Sequence, residues 1–174
     1  MSVSVQTVVG RLHCQRFYPT ISGVAQSHNF YPIGPQRAED GVVHLALGLG
    51  RTVVDGGLAL RFSPRHPGVL PQLGNRSSML QSTQRYFYAL DTERPCCLPD
   101  ADLYSTLRRY ELAEAEDDGT LAPVGSVYSP DDDQLRDDLS LPGPRVVTFN
   151  NILKHGALPL VEAMGELREI ARRG

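Results

Sequence analysis

Lysine, cysteine and long apolar runs are all scarce in this chain of 174 residues, and each scarcity excludes something. Lysine occurs once, at Lys154, with no glycine-rich turn beside it. That removes a Walker phosphate loop, whose lysine must reach the phosphates from such a turn. The cysteines are Cys14, Cys96 and Cys97, an odd set without C-x-x-C spacing. They make neither a disulfide framework nor a structural zinc site, and they fit a reducing cytoplasm. The vicinal pair Cys96-Cys97, before Leu98-Pro99, reads as loop. Uninterrupted apolar stretches span a few residues only, against the ~20 that a membrane-crossing helix needs. No export signal opens the chain. The expectation is one soluble cytoplasmic domain covering residues 1–174, without membrane or nucleic-acid partners.

Charge is present but unevenly divided. Residues 1–90 carry eight arginines against three acids, whereas residues 91–174 carry nine basic residues against seventeen acids. The first half is therefore the one that favours anions.

Periodicity predicts the elements. Ser2 to Val9 alternates polar and β-branched residues, as a strand with one buried face does. Residues 10–20 read as loop, Gly23–His28 as strand, and Pro32, Gly34 and Pro35 as a turn. Val42–Leu47 is almost continuously apolar and reads as a central strand, with a return strand over Leu58–Phe62. Residues 63–77 read as surface connection, and Met79–Leu90 fits either a short helix or an aromatic strand. Tyr110–Glu116 and Leu121–Tyr128 flank Asp118-Gly119 and read as a hairpin. Asp131-Asp132-Asp133 lacks calcium-loop spacing and suits a helix start. Arg145–Phe149 reads as a strand, and Pro159–Arg173 as an amphipathic helix with Leu160, Met164, Leu167 and Ala171 in one stripe. The fold class expected is α+β, a mostly antiparallel sheet with helices packed on it.

Among chemical candidates, Gly48-Leu49-Gly50 follows the central strand as a dinucleotide fingerprint does, but Val53 stands where the third glycine belongs. Two readings stay open. One is a tight, closely packed turn. The other is a backbone that lets phosphate approach, with Arg51 or Arg61 supplying charge. The five histidines, His13, His28, His44, His66 and His155, show neither i,i+4 pairing nor a nucleophile elbow. Glu39-Asp40 and Asp55 precede glycines and read as turn residues.

The order "VSVQTVV" (Val3 to Val9), "SGVA" (Ser22 to Ala25) and "LGLGRTVVDGG" (Leu47 to Gly57) resembles the nucleotide-binding domain of phosphoenolpyruvate synthases and pyruvate phosphate dikinases. "DGTLAPVGSVYSPDDD" (Asp118 to Asp133) and "GPRVVTFNNILKH" (Gly143 to His155) are similar to a divergent bacterial branch of that family. The resemblance implies an incomplete ATP-grasp-like lobe that binds ATP with Mg²⁺. It also implies that the other lobe, and a swivelling domain bearing the phosphorylated histidine, are supplied from elsewhere. Gln6 would lie on the hinge strand beside adenine, and Gly48, Gly50 and Thr52 would form the glycine loop. Arg51 departs from the glutamate of the family pattern, which reverses the local charge and removes a ribose contact. The family's phosphate-binding Lys and Arg would precede Met1, and its metal-holding Glu, Gln and Arg would follow Gly174. Phosphotransferase activity is therefore not expected of this chain alone, and an uncovered edge or apolar face would favour self-association.

Overall fold

The computed structural model describes residues 6–74, 76–93, 106–156 and 159–173. Among them, ten strands form three antiparallel sheets, and helices pack on the sheets. In chain order the strands are β1 (Arg11–His13), β2 (Arg16–Tyr18), β3 (Ser22–Gln26), β4 (Val42–Ala46), β5 (Leu60–Phe62), β6 (Tyr86–Asp91), β7 (Leu107–Glu111), β8 (Gly125–Ser129), β9 (Gln134–Arg136) and β10 (Arg145–Val147). The helices are α1 (Arg51–Val54), α2 (Arg76–Ser82), α3 (Leu112–Asp117), α4 (Asn150–Leu153) and α5 (Leu160–Arg173).

The first sheet has the order β1-β2-β6-β7, the second β3-β4-β5 and the third β10-β8-β9. In β6 the side chains of Phe87, Ala89 and Asp91 are buried while Tyr86, Tyr88 and Leu90 are half-buried, the alternation of a strand with one face on the core. Four of the five positions of β4 are buried, in keeping with its central place between β3 and β5. One core joins the sheets: Val43, Leu45 and Leu47 meet Tyr18, Phe87 and Ala89 from the first sheet and Val147, Phe149 and Ile152 from the end of the chain.

The α+β class and antiparallel pairing match the sequence reading, but there are three small sheets instead of one. Residues 6–9 form no strand, and residues 2–5 of that expected strand lie outside the described residues, as do Cys96 and Cys97. The expected loop at 10–20 contains the β1-β2 hairpin, whose turn is Cys14-Gln15. Both readings of 79–90 hold in succession, α2 and then β6. The hairpin expected about Asp118-Gly119 is a helix end instead. Leu112 and Ala115 are buried three apart on α3, and Gly119 follows its C-cap, Asp118, at φ +71°. The three aspartates sit at the β8-β9 turn, with Asp133 at φ +51°, rather than at a helix start. Helix α5 forms where expected and Met164 packs against the core, while the side chains of Leu160, Leu167 and Ala171 lie outside the described residues.

Candidate functional site

Strand β4 runs into the glycine turn, α1 follows at once, and β5 returns beside β4. Gly48 adopts φ +83°, and a Cβ there would sit 2.7 Å from the carbonyl oxygen of Tyr88 and 2.9 Å from Cβ of Phe87. Strand β6 therefore fills the space that a side chain at 48 would need. Leu49 N–H donates to the Tyr88 carbonyl at 2.8 Å. The buried Gln84 side chain extends the fastening: its Oε1 accepts from Leu47 N–H at 2.9 Å, and its Nε2 donates to the carbonyls of Leu47 and Tyr86 at 2.8 and 2.9 Å. The first glycine is thus a packing glycine, which answers half of the question that the Gly-x-Gly raised.

Gly50 is different. Its φ is −64°, and the nearest atoms to a Cβ built on it are Cβ and Oγ of Ser22, both at 3.9 Å. Ser22 begins β3 opposite Ala46, so the fold carries two segments distant in sequence to one spot. Two buried hydroxyls have no hydrogen-bond partner: Ser22 Oγ, beside Gly50, and Thr52 Oγ1, two residues on in α1. Leaving a buried hydroxyl unpaired costs about 1–3 kcal/mol, a cost that a water or a ligand oxygen removes.

Arg51 caps this spot with charge. Its Nε donates to Asp55 at 2.8 Å and its guanidinium lies 5.1 Å from the Tyr88 ring centroid. The salt bridge is one helical turn long and part-exposed, so it is a weak tether. Arg61, on β5 opposite His44, is committed elsewhere. Its Nη2 donates to Asn29 Oδ1 and to the Tyr31 carbonyl, both at 2.6 Å. Burial, helped by the Arg61 charge, lowers the His44 pKa and favours the neutral imidazole. Gln6 is exposed and belongs to no strand. The fold therefore brings Gly48, Gly50, Arg51 and Thr52 together, adds Ser22, and employs Arg61 as a strut. Ser22 and Gln84 escaped the sequence reading because a serine at a strand start and a glutamine after a helix carry no motif.

Three further polar clusters hold elements together. Asp118 accepts Arg16 Nε and Nη2 at 3.0 and 2.6 Å and Tyr18 Oη at 2.6 Å, and Tyr18 Oη lies 2.8 Å from Thr120 Oγ1. Burial opposes the charged carboxylate, but these hydrogen bonds and the Arg16 charge outweigh it and hold Asp118 below the usual carboxylate range. Burial and then the bond to Asp118 push the Tyr18 phenol well above its usual value. Asp137 accepts Ser126 Oγ at 2.5 Å and Asn150 Nδ2 at 3.0 Å, clamping β8 to α4. Buried Asp40 accepts Arg37 N–H at 2.7 Å and faces His66 Nε2 at 3.5 Å.

No three or more His, Cys, Asp or Glu side chains among the described residues gather as a metal site. Compared with family models, curated proteins and solved structures, the chain gives no match.

Proposed function

We propose that this chain forms one wall of an ATP site: part of the nucleotide-binding lobe of a phosphoenolpyruvate synthase-like protein, serving phosphoryl transfer between ATP and pyruvate or phosphoenolpyruvate only in a fuller assembly. The observation that carries the reading is the unpaired Ser22 Oγ beside Gly50, with the unpaired Thr52 Oγ1 two residues further along α1. Both come from the segments whose sequence resembles that family. Hydroxyl donors beside side-chain-free backbone suit phosphate oxygens, and Arg51 adds a neighbouring cation. Phosphoryl transfer also needs metal and several cationic groups to offset charge, which in this reading the rest of the assembly supplies. On this reading the chain alone touches a triphosphate without cleaving it.

Calorimetric titration with ATP, with and without magnesium, tests the reading. Weak binding is expected, falling about tenfold, roughly 1.4 kcal/mol, in Ser22→Ala and Thr52→Val. A chain that turns ATP and pyruvate into phosphoenolpyruvate unaided contradicts the proposal, and so does binding indifferent to both substitutions.

A second reading is a non-catalytic anion-binding or protein-interaction domain that retains the fold. Arg51 where the family pattern has glutamate favours it, as does the exposure of Phe30 and Tyr31. Absence of ATP binding in a correctly folded chain selects this second reading.

A further inference from the structure

The segment 28–37 presents its apolar side chains outward. Phe30 is 71 %, Tyr31 80 % and Ile33 43 % exposed. Singly exposed apolar residues are ordinary, but three within four positions make a patch. The backbone beneath them is fixed. Asn29, 1 % exposed, receives Tyr31 N–H at 3.1 Å and Arg61 Nη2 at 2.6 Å on its Oδ1, and donates from Nδ2 to Gln36 Oε1 at 3.2 Å. Asn29 N–H reaches the Ala38 carbonyl at 2.7 Å, and Gln36 Oε1 also accepts Ile33 N–H at 3.3 Å. A loop tied this thoroughly holds its aromatic rings ready, so little ordering entropy remains to be lost on docking. It is also positively charged at its base, where the Arg61 guanidinium donates to Asn29 and Tyr31, both neutral.

A complementary groove lies in the acidic half of the chain. The β8-β9 turn and the segment before β10 enclose a cleft of about 450 Å³ with Val127, Pro130, Asp131, Leu141, Pro142 and Pro144 in its wall. Such a volume accepts an aromatic side chain, and prolines offer it flat apolar faces. Asp131 and Arg136 both stand in the wall, Arg136 paired with Asp132, and Asp133, Asp137 and Asp138 lie close by in sequence.

We propose that these two surfaces recognise each other between copies of this chain: the 28–37 loop of one molecule docks Phe30 and Tyr31 into the β8-β9 groove of the next, head to tail. Charge complementarity selects a second copy as occupant. The loop carries Arg37 at its end and Arg61 at its base, and the turn beside the groove exposes Asp131, Asp132, Asp133 and Asp138 against Arg136. The contact is heterologous, so each molecule keeps one free loop and one free groove and assembly continues with concentration. Two rings and an isoleucine make a small interface, which sets a weak, reversible association.

Sedimentation velocity over micromolar to millimolar protein reads it directly. The weight-average mass of the native chain rises with concentration and falls with added salt. Phe30→Ser with Tyr31→Ser leaves the loop's hydrogen bonds in place, keeps the native circular dichroism and melting, and is monomeric. Asp131→Arg with Pro142→Arg, at exposed positions on the groove, is monomeric too. Mixed in equal amounts, the two variants form a one-to-one dimer and nothing larger, since one contributes only a groove and the other only a loop. A monomeric native chain, a loop variant that assembles like the native chain, a groove variant that still dimerises through loop against loop, or a mixture that stays monomeric each overturns the proposal. The loop variant retains its ATP titration, so failure here is separable from failure of the nucleotide reading.

Discussion

Gly48 and Gly50 sit two residues apart and do opposite work. At Gly48 a methyl group would meet the Tyr88 carbonyl at 2.7 Å on a backbone of φ +83°, so strain and overlap act together. Gly48→Ala is expected to cost roughly 3 kcal/mol in urea denaturation. Gly50→Ala has ordinary φ and nothing nearer than 3.9 Å, and stability should change by less than about 1 kcal/mol in either direction. Equal losses at both positions would mean that the turn is not held by β6. Arg61→Ala tests the strut in the same spirit. It withdraws the guanidinium from Asn29 and Tyr31, so amide hydrogen exchange over residues 29–37 should accelerate while ATP affinity stays unchanged. A drop in ATP affinity without faster exchange would return Arg61 to the phosphate role that its charge suggests in the sequence. The motif alone could not separate these glycines, because the atom that closes Gly48 belongs to β6, about forty residues away.

Apolar runs were legible even where the strand is short: β5 and β10, three residues each, fall within the expected strands Leu58–Phe62 and Arg145–Phe149, whereas β1, β2 and β9 were not anticipated. Val42–Ala46 and Leu160–Arg173 appear where period and apolar content predict them. The β1-β2 hairpin has only three pairs and turns through Cys14 at φ +53°, a residue that carries no turn signal. Asp118-Gly119 misled because positive φ at the glycine serves a helix end as well as a hairpin. That helix end is where pH should bite. The Asp118 side chain, 4 % exposed, binds Arg16 and Tyr18 across to β2, and its carboxyl lies below the ordinary value near 4. A depressed native pKa gives stability that is complete above about pH 4 and is lost as pH falls through the native value. Urea midpoints followed from neutral pH downward should therefore fall on the acid side in the native chain. Asp118→Asn should be less stable at neutral pH, by roughly 2 kcal/mol, with a flatter acid limb. An unchanged acid limb would mean that other carboxylates govern acid unfolding.

Across the whole molecule, three small sheets share one interior. A three-stranded sheet with strands of three to five residues has little apolar area of its own, so each depends on its neighbours. The cross-links are specific: Leu47 is gripped at both backbone polar groups by Gln84 before β6, and Arg145, opening β10, forms a bidentate pair with Glu116 of α3 at 2.8 and 2.7 Å. Hydrophobic periodicity identified β3, β4, β5, β8 and β10 singly, whereas the division of strands among three sheets depends on contacts of long sequence separation that no local pattern encodes. If the interior is truly shared, unfolding is a single transition. Far-ultraviolet circular dichroism, near-ultraviolet signals from the tyrosines and exchange of the Val146 and Val147 amides should then report one urea midpoint. Leu47→Ala, at a fully buried position, should lower that common midpoint by an amount equivalent to about 3 kcal/mol, with every probe moving together. A β10-β8-β9 probe that keeps its native midpoint while the others shift would show that the third sheet holds an interior of its own, and the glycine turn would then be supported by β6 alone.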